Sequence, residues 1–158
     1  MDFLLNGDDP GRTTILLAHG SGATMDTPWM NNVAENLAEE GFRVARFEFS
    51  YMAARRTGGS KRPPAKAETY APEFLAAIEA LPYDGPLVIG GKSMGGRVAS
   101  LVARDLNNAG RIKGLLCLGF PNWTCTVSVP VCCSCYAAIF SNATGDFPSS
   151  AEWRLRGL

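Results

Sequence analysis

Residues 86–106, PLVIGGKSMGGRVASLVARDL, place a short apolar run, a serine flanked by glycines and an amphipathic segment in immediate succession. Pro86 to Gly90 is too short and too apolar for anything but an interior strand. Behind it, Met94, Val98, Leu101 and Val102 recur at helical spacing until Gly110 ends the pattern. Gly91-Lys92-Ser93-Met94-Gly95 therefore joins a buried strand directly to a helix, the context a nucleophile elbow needs. Such a turn brings the residues two before and two after the serine close together, so a side chain on Gly91 or Gly95 would clash. The Ser93 hydroxyl is then presented above the sheet edge. The Met94 amide, at the helix N-terminus, faces the place where an oxyanion develops. The plainer alternative is a glycine-rich turn whose serine only caps a helix; G-x-S-x-G is common by chance, and the strand and helix around it favour the elbow.

Upstream, Thr13 to Ala18 is a β-branched and aliphatic run that leaves through Gly20 and Gly22, a buried strand entering a loop. His19-Gly20-Ser21-Gly22 stands where a hydrolase supplies its other oxyanion amide, with Ser21 first in line and Gly22 next. The alternative is an ordinary turn in which His19 hydrogen-bonds neighbouring backbone. Thr27 and Pro28 suit the cap and first turn of a helix, and Trp29, Val33 and Leu37 give it one apolar stripe ending at Gly41. Phe42 to Phe49 is strand-like. Tyr51 to Lys66, with two glycines, two prolines and five basic residues, is expected to be a loop. Phe74, Leu75, Ile78 and Leu81 mark another helix, and Ile112 to Leu118 a fourth strand. Strand and helix alternate throughout, which predicts a doubly wound α/β domain with a mostly parallel sheet, covered on both faces. Right-handed crossovers would bring the loops bearing His19 and Ser93 to the same carboxyl edge.

Three separated blocks resemble short dienelactone-hydrolase-like α/β hydrolases: LLAHGSGATMDTPWM, then RVARFEFSYM with its following RRTGG and KRPP, then VIGGKSMGGRVAS. The resemblance runs from about Thr14 to Pro121. It implies the α/β-hydrolase fold and serine-hydrolase machinery mapping onto Ser93, Met94 and the loop from His19 to Gly22. It also implies an acid and a histidine on later loops, in the order serine, acid, histidine. The sole histidine, His19, precedes the serine and is not assigned as general base. Asp146 is the candidate acid.

After Pro121 the sequence loses helical periodicity and gathers small polar residues and cysteine. Residues 1–121 are thus expected to form the N-terminal portion of the hydrolase domain, and 122–158 an atypical tail that leaves the sheet incomplete at its C-terminus. A shifted reading frame would account for the change of character. The leading expectation is an esterase-like serine hydrolase acting on a small-molecule ester-like substrate. Its competitor is a non-catalytic scaffold that binds a protein partner through the basic loop of Arg55, Arg56, Lys61, Arg62 and Lys66. Glu48 and Tyr51 either line the site or brace that loop, and neither is given a catalytic role.

Fifteen Lys plus Arg balance fifteen Asp plus Glu, so no global charge draws the chain to nucleic acid or a membrane surface. No apolar run approaches a membrane span and the start lacks a basic n-region, so a cytoplasmic location is expected. Cys125, Cys132, Cys133 and Cys135 show no zinc-ligand spacing, and neither a metal nor a cofactor is expected. A P-loop would need its first glycine one residue later than Gly85, where Pro86 stands.

Overall fold

The computed structural model describes residues 1–59 and 63–119. Its strands are β1 (Leu4–Asn6), β2 (Thr14–Ala18), β3 (Arg43–Phe47), β4 (Leu87–Lys92) and β5 (Gly114–Leu118). Its helices are α1 (Pro28–Glu39), α2 (Ser50–Arg56), α3 (Ala71–Ala80) and α4 (Met94–Asn108), with a single 3-10 turn at Ala67–Tyr70. The sheet order is β1-β3-β2-β4-β5. Four strands are parallel, and β1 pairs antiparallel with β3.

Side chains alternate across the sheet as the pleat demands. Ile15, Leu17, Val44, Val88, Leu116 and Leu118 face α1, where Met30, Val33, Ala34 and Leu37 are buried. Leu16, Ala18, Ala45, Phe47, Ile89 and Leu115 face α3 and α4 on the other side. Both faces are covered, so β2, β4 and β5 are largely apolar, β3 alone among the parallel strands carries two arginines, and the domain is doubly wound. The chain leaves β2 towards β3 on one side and later returns to β4 on the other, which makes the carboxyl end of β2 a topological switch point.

One expectation needs correction, and one strand was not foreseen. The stretch from Tyr51 to Lys66 is not all loop, because α2 occupies its start. A seven-residue helix is marginal alone. Here α3 supplies what its own sequence lacks: the Glu73 carboxylate accepts hydrogen bonds from the Ser50 amide (2.7 Å) and hydroxyl (2.8 Å), capping the first turn. β1 was not legible either, since three residues are too few for a period. It is fixed by pairing with the β3 edge and by Arg46, whose Nη2 donates to the Asn6 side-chain oxygen at 2.9 Å.

Leu75 and Leu101, placed on the apolar helical stripes, are 38% and 43% exposed. Phe74, Val98 and Val102 occupy the buried positions beside them.

Candidate functional site

β2 and β4 are adjacent and in register, with Ala18 opposite Gly91. Their carboxyl ends therefore deliver the His19 loop and Ser93 side by side. Ser93 is the one non-glycine residue with positive φ among the described residues (φ 49°, ψ −113°). Its amide donates to Leu118 O at 2.8 Å, and its carbonyl accepts from Arg97 N at 3.0 Å. Both bonds hold the turn while α4 starts at once. The Ser93 hydroxyl makes no capping bond to α4, and the residue is exposed.

The flanking glycines meet the steric requirement. A Cβ on Gly91 would stand 2.5 Å from Ala18 O and 2.8 Å from the Gly95 carbonyl carbon; one on Gly95 would stand 2.5 Å from both Ala18 O and His19 O. Neither backbone neighbour can yield without opening the β2–β4 pairing. The left-handed backbone at Ser93 costs about 1–3 kcal/mol. Ser93→Gly is accordingly expected to melt higher than Ser93→Ala by about 3 °C, on roughly 1 kcal/mol of relieved strain. Equal melting temperatures of the two variants would show that the turn stores no strain.

The loop after β2 is oriented by side chains beneath it. His19 is wholly buried, and its ring touches Phe49 and Tyr51 edge-on. Its Nδ1 hydrogen donates to Gly20 O at 2.6 Å, while Nε2 accepts from the Phe49 amide at 3.2 Å. The two bonds together specify the neutral tautomer protonated on Nδ1. Burial, the largest influence, pushes the His19 pKa below its ordinary value against the opposing pull of Gly20 O and Glu48. Tyr51 donates its phenolic hydrogen to Ser21 O at 3.1 Å, and burial pushes that phenol up to about 12, so it stays a donor at ordinary pH.

Because a trans peptide points its N–H opposite its C=O, holding the Gly20 and Ser21 carbonyls inward turns the Ser21 and Gly22 amides outward. Gly20 itself lies against the elbow: a Cβ there would sit 3.9 Å from the Ser93 Cβ. Ser21 and Gly22 are exposed at this edge. The Lys92 ammonium, next to Ser93 in the chain, lies 4.4 Å over the Trp29 ring. An open cleft of about 600 Å³ is lined by Lys66, Ala67, Glu68, Thr69 and Arg97, one helical turn from Ser93.

A strained strand-to-helix turn at the switch point of a doubly wound sheet, with a glycine loop against it, is accompanied by a direct sequence match. Residues 11–125 match the family described as the alpha/beta hydrolase domain. The chain belongs to the α/β hydrolases. Among solved structures it is similar to Est1E from Butyrivibrio proteoclasticus with ferulic acid bound, at 19% identity and TM-score 0.53. That match covers 71% of this chain and 45% of the esterase. It is also similar to the thioesterase domain from the curacin biosynthetic pathway, at 22% identity and TM-score 0.51, covering 80% of this chain and 43% of that one. This α/β-hydrolase chain thus aligns with less than half the length of either structure, and the likeness concerns the fold. Comparison with curated proteins gives no match.

Ser93, Met94, Gly91, Gly95, Ser21 and Gly22 are brought together at one edge of this hydrolase fold. Asp146 and the cysteines from Cys125 to Cys135 lie outside the described residues, as do Lys61 and Arg62 of the basic loop. Among the described residues no His, Cys, Asp and Glu group could hold a metal ion, and no helix is long and apolar enough to cross a membrane. Sequence reasoning missed Asp26 and misjudged the setting of Arg56. The Arg56 guanidinium bonds both Glu48 oxygens at 2.7 Å and reaches Asp26 at 2.8 Å. No local pattern announces a contact between a loop aspartate and a residue thirty positions later.

Proposed function

We propose that this chain is the nucleophile-bearing part of an esterase-like serine hydrolase of the dienelactone-hydrolase-like kind, acting on small-molecule esters. The observation that carries the reading is the left-handed, uncapped and exposed Ser93 on a turn closed by Gly91 and Gly95. In this reading the Ser93 hydroxyl attacks the acyl carbon, and the amides of Met94 and Ser21, with Gly22 beside it, hold the oxyanion. Each such amide is worth on the order of 3 kcal/mol of transition-state stabilisation.

The general base is not His19. Both its ring nitrogens are bonded, to Gly20 O and the Phe49 amide, and the residue is wholly buried. A triad lacking one member typically retains roughly 10³ to 10⁴-fold acceleration over water. Slow acylation is therefore expected of the 158-residue chain, unless another group, with Asp146 as the candidate acid, completes the set. The engaged state of the sole histidine also favours a second reading, a non-catalytic scaffold that kept the hydrolase architecture and binds a protein partner.

Fluorophosphonate labelling of the purified chain beside Ser93→Ala separates the two. Slow labelling that disappears in Ser93→Ala supports the hydrolase. A cooperatively folded chain that stays unlabelled leaves the scaffold.

A further inference from the structure

Glu48 is a carboxylate with only 4% of its side chain exposed, and the proposed chemistry makes no use of it. It follows β3 directly, where Arg46 and Glu48 leave the same face two residues apart. Both reach the far end of the loop that begins at His19. Glu48 Oε1 accepts from the Met25 amide at 3.1 Å, and Arg46 Nη1 donates to Met25 O at 3.0 Å. The Met25 peptide groups are thus held on both sides, and its side chain is buried.

Burial opposes the charge on Glu48, but the hydrogen bonds from Arg56 and the Met25 amide outweigh it and hold the carboxyl below its ordinary range. Arg56 also holds Asp26, whose carboxyl its hydrogen bond draws down to about 2. The cluster stays ionised at neutral pH. Tyr51 and Arg56, both on α2, reach the loop at two points, Ser21 O and the Asp26 side chain. Between them Gly22 has nothing within 4 Å of where a Cβ would lie. At Gly22 the loop therefore has open space on the side where a side chain would stand.

We propose that Glu48, joined through Arg56 to Asp26, clamps the loop of residues 19–27 and is a positioning residue for the Ser21 and Gly22 amides. The clamp fixes where the loop ends, His19 fixes where it starts, and the span between them leaves the amides little freedom. The inference rests on the proposed role of those amides for its effect on rate, but not for the clamp itself.

Hydrogen exchange of the folded chain, read by mass spectrometry, is measured together with fluorophosphonate labelling for Glu48→Ala, Glu48→Gln and Arg56→Gln. Glu48→Gln keeps an acceptor for the Met25 amide and nearly the same volume. Arg56→Gln changes a partly exposed residue and serves if Glu48→Ala does not fold. The expected result is at least tenfold faster exchange of the 21–27 amides in Glu48→Ala with β2 and β4 still protected. Serine-dependent labelling should slow at least tenfold, with most of both effects recovered in Glu48→Gln and an intermediate response in Arg56→Gln. Unchanged loop exchange in the folded variants overturns the clamp. A loosened loop with unchanged labelling overturns the positioning role. If the parent chain shows no Ser93-dependent labelling, the proposed function fails while the exchange result still decides the clamp.

Discussion

Gly95→Ala is expected to lower the stability of the domain by about 3 kcal/mol or more, above the usual 1–3 kcal/mol range for overpacking. The reason is where the new methyl goes. It meets Ala18 O and His19 O at 2.5 Å, and both are backbone atoms at the end of the central strand β2. A side chain can swing aside; a carbonyl on an interior strand moves only with its ladder. The relief available is to lift the first turn of α4, which carries the Met94 amide away from Ser93, so labelling should fall along with the melting temperature. Gly22→Ala, where the space is open, is the matched control and should leave stability within about 0.5 kcal/mol. Thermal or urea unfolding of the two variants checks this. A Gly95→Ala protein as stable as its parent would mean that α4 and β2 are less tightly packed than these distances require.

His19→Leu is expected to cost roughly 3 kcal/mol and to remove a pH dependence. Leucine fills much of the volume but leaves Gly20 O and the Phe49 amide without their partner, at about 1–3 kcal/mol for each buried group left unsatisfied. The sign of the pH effect follows from the direction of the shift. His19 titrates lower in the folded chain than in the unfolded one, where its pKa is about 6.5, so the unfolded state binds its proton first as pH falls. Stability from this residue is whole above pH of about 6.5 and drains away as pH drops towards the folded-state value. Protonation would also set an Nε2 hydrogen against the Phe49 N–H, two donors facing each other. Melting temperatures from pH 8 to pH 5 should therefore fall more steeply in the parent than in His19→Leu. Parallel curves would show that His19 does not resist protonation.

Much of the framework was legible in the residues. ILLA in β2, PLVIG leading into β4 and GLLCL in β5 carry no charged residue because the strands they form are covered on both faces, and a buried parallel strand reads as a near-continuous apolar run. The elbow was legible for a related reason: Gly91 and Gly95 stand where any side chain would collide with Ala18 or His19, so the constraint is written in residue type at fixed spacing. Leu75 and Leu101 show the limit, because helical period identifies an apolar stripe but not the width that neighbouring helices cover. After Pro121 the sequence departs from the pattern that made the rest readable, and the candidate acid Asp146, in that stretch, lies outside the described residues.

The sequence by itself determined the alternation of strand and helix, the doubly wound sheet and the meeting of the His19 and Ser93 loops at one edge, since all of these follow from period, glycine position and crossover handedness. Tertiary structure alone decided that residues 50–56 are helical, that β1 joins the edge, that His19 is a neutral buried anchor, and that Glu48 and Arg56 grip Met25 and Asp26. Each of these depends on a partner more than twenty residues away or on removal from water. Local sequence sets what a segment can do; the identity of a distant partner and the loss of solvent decide which polar groups bond and which protonation state they hold.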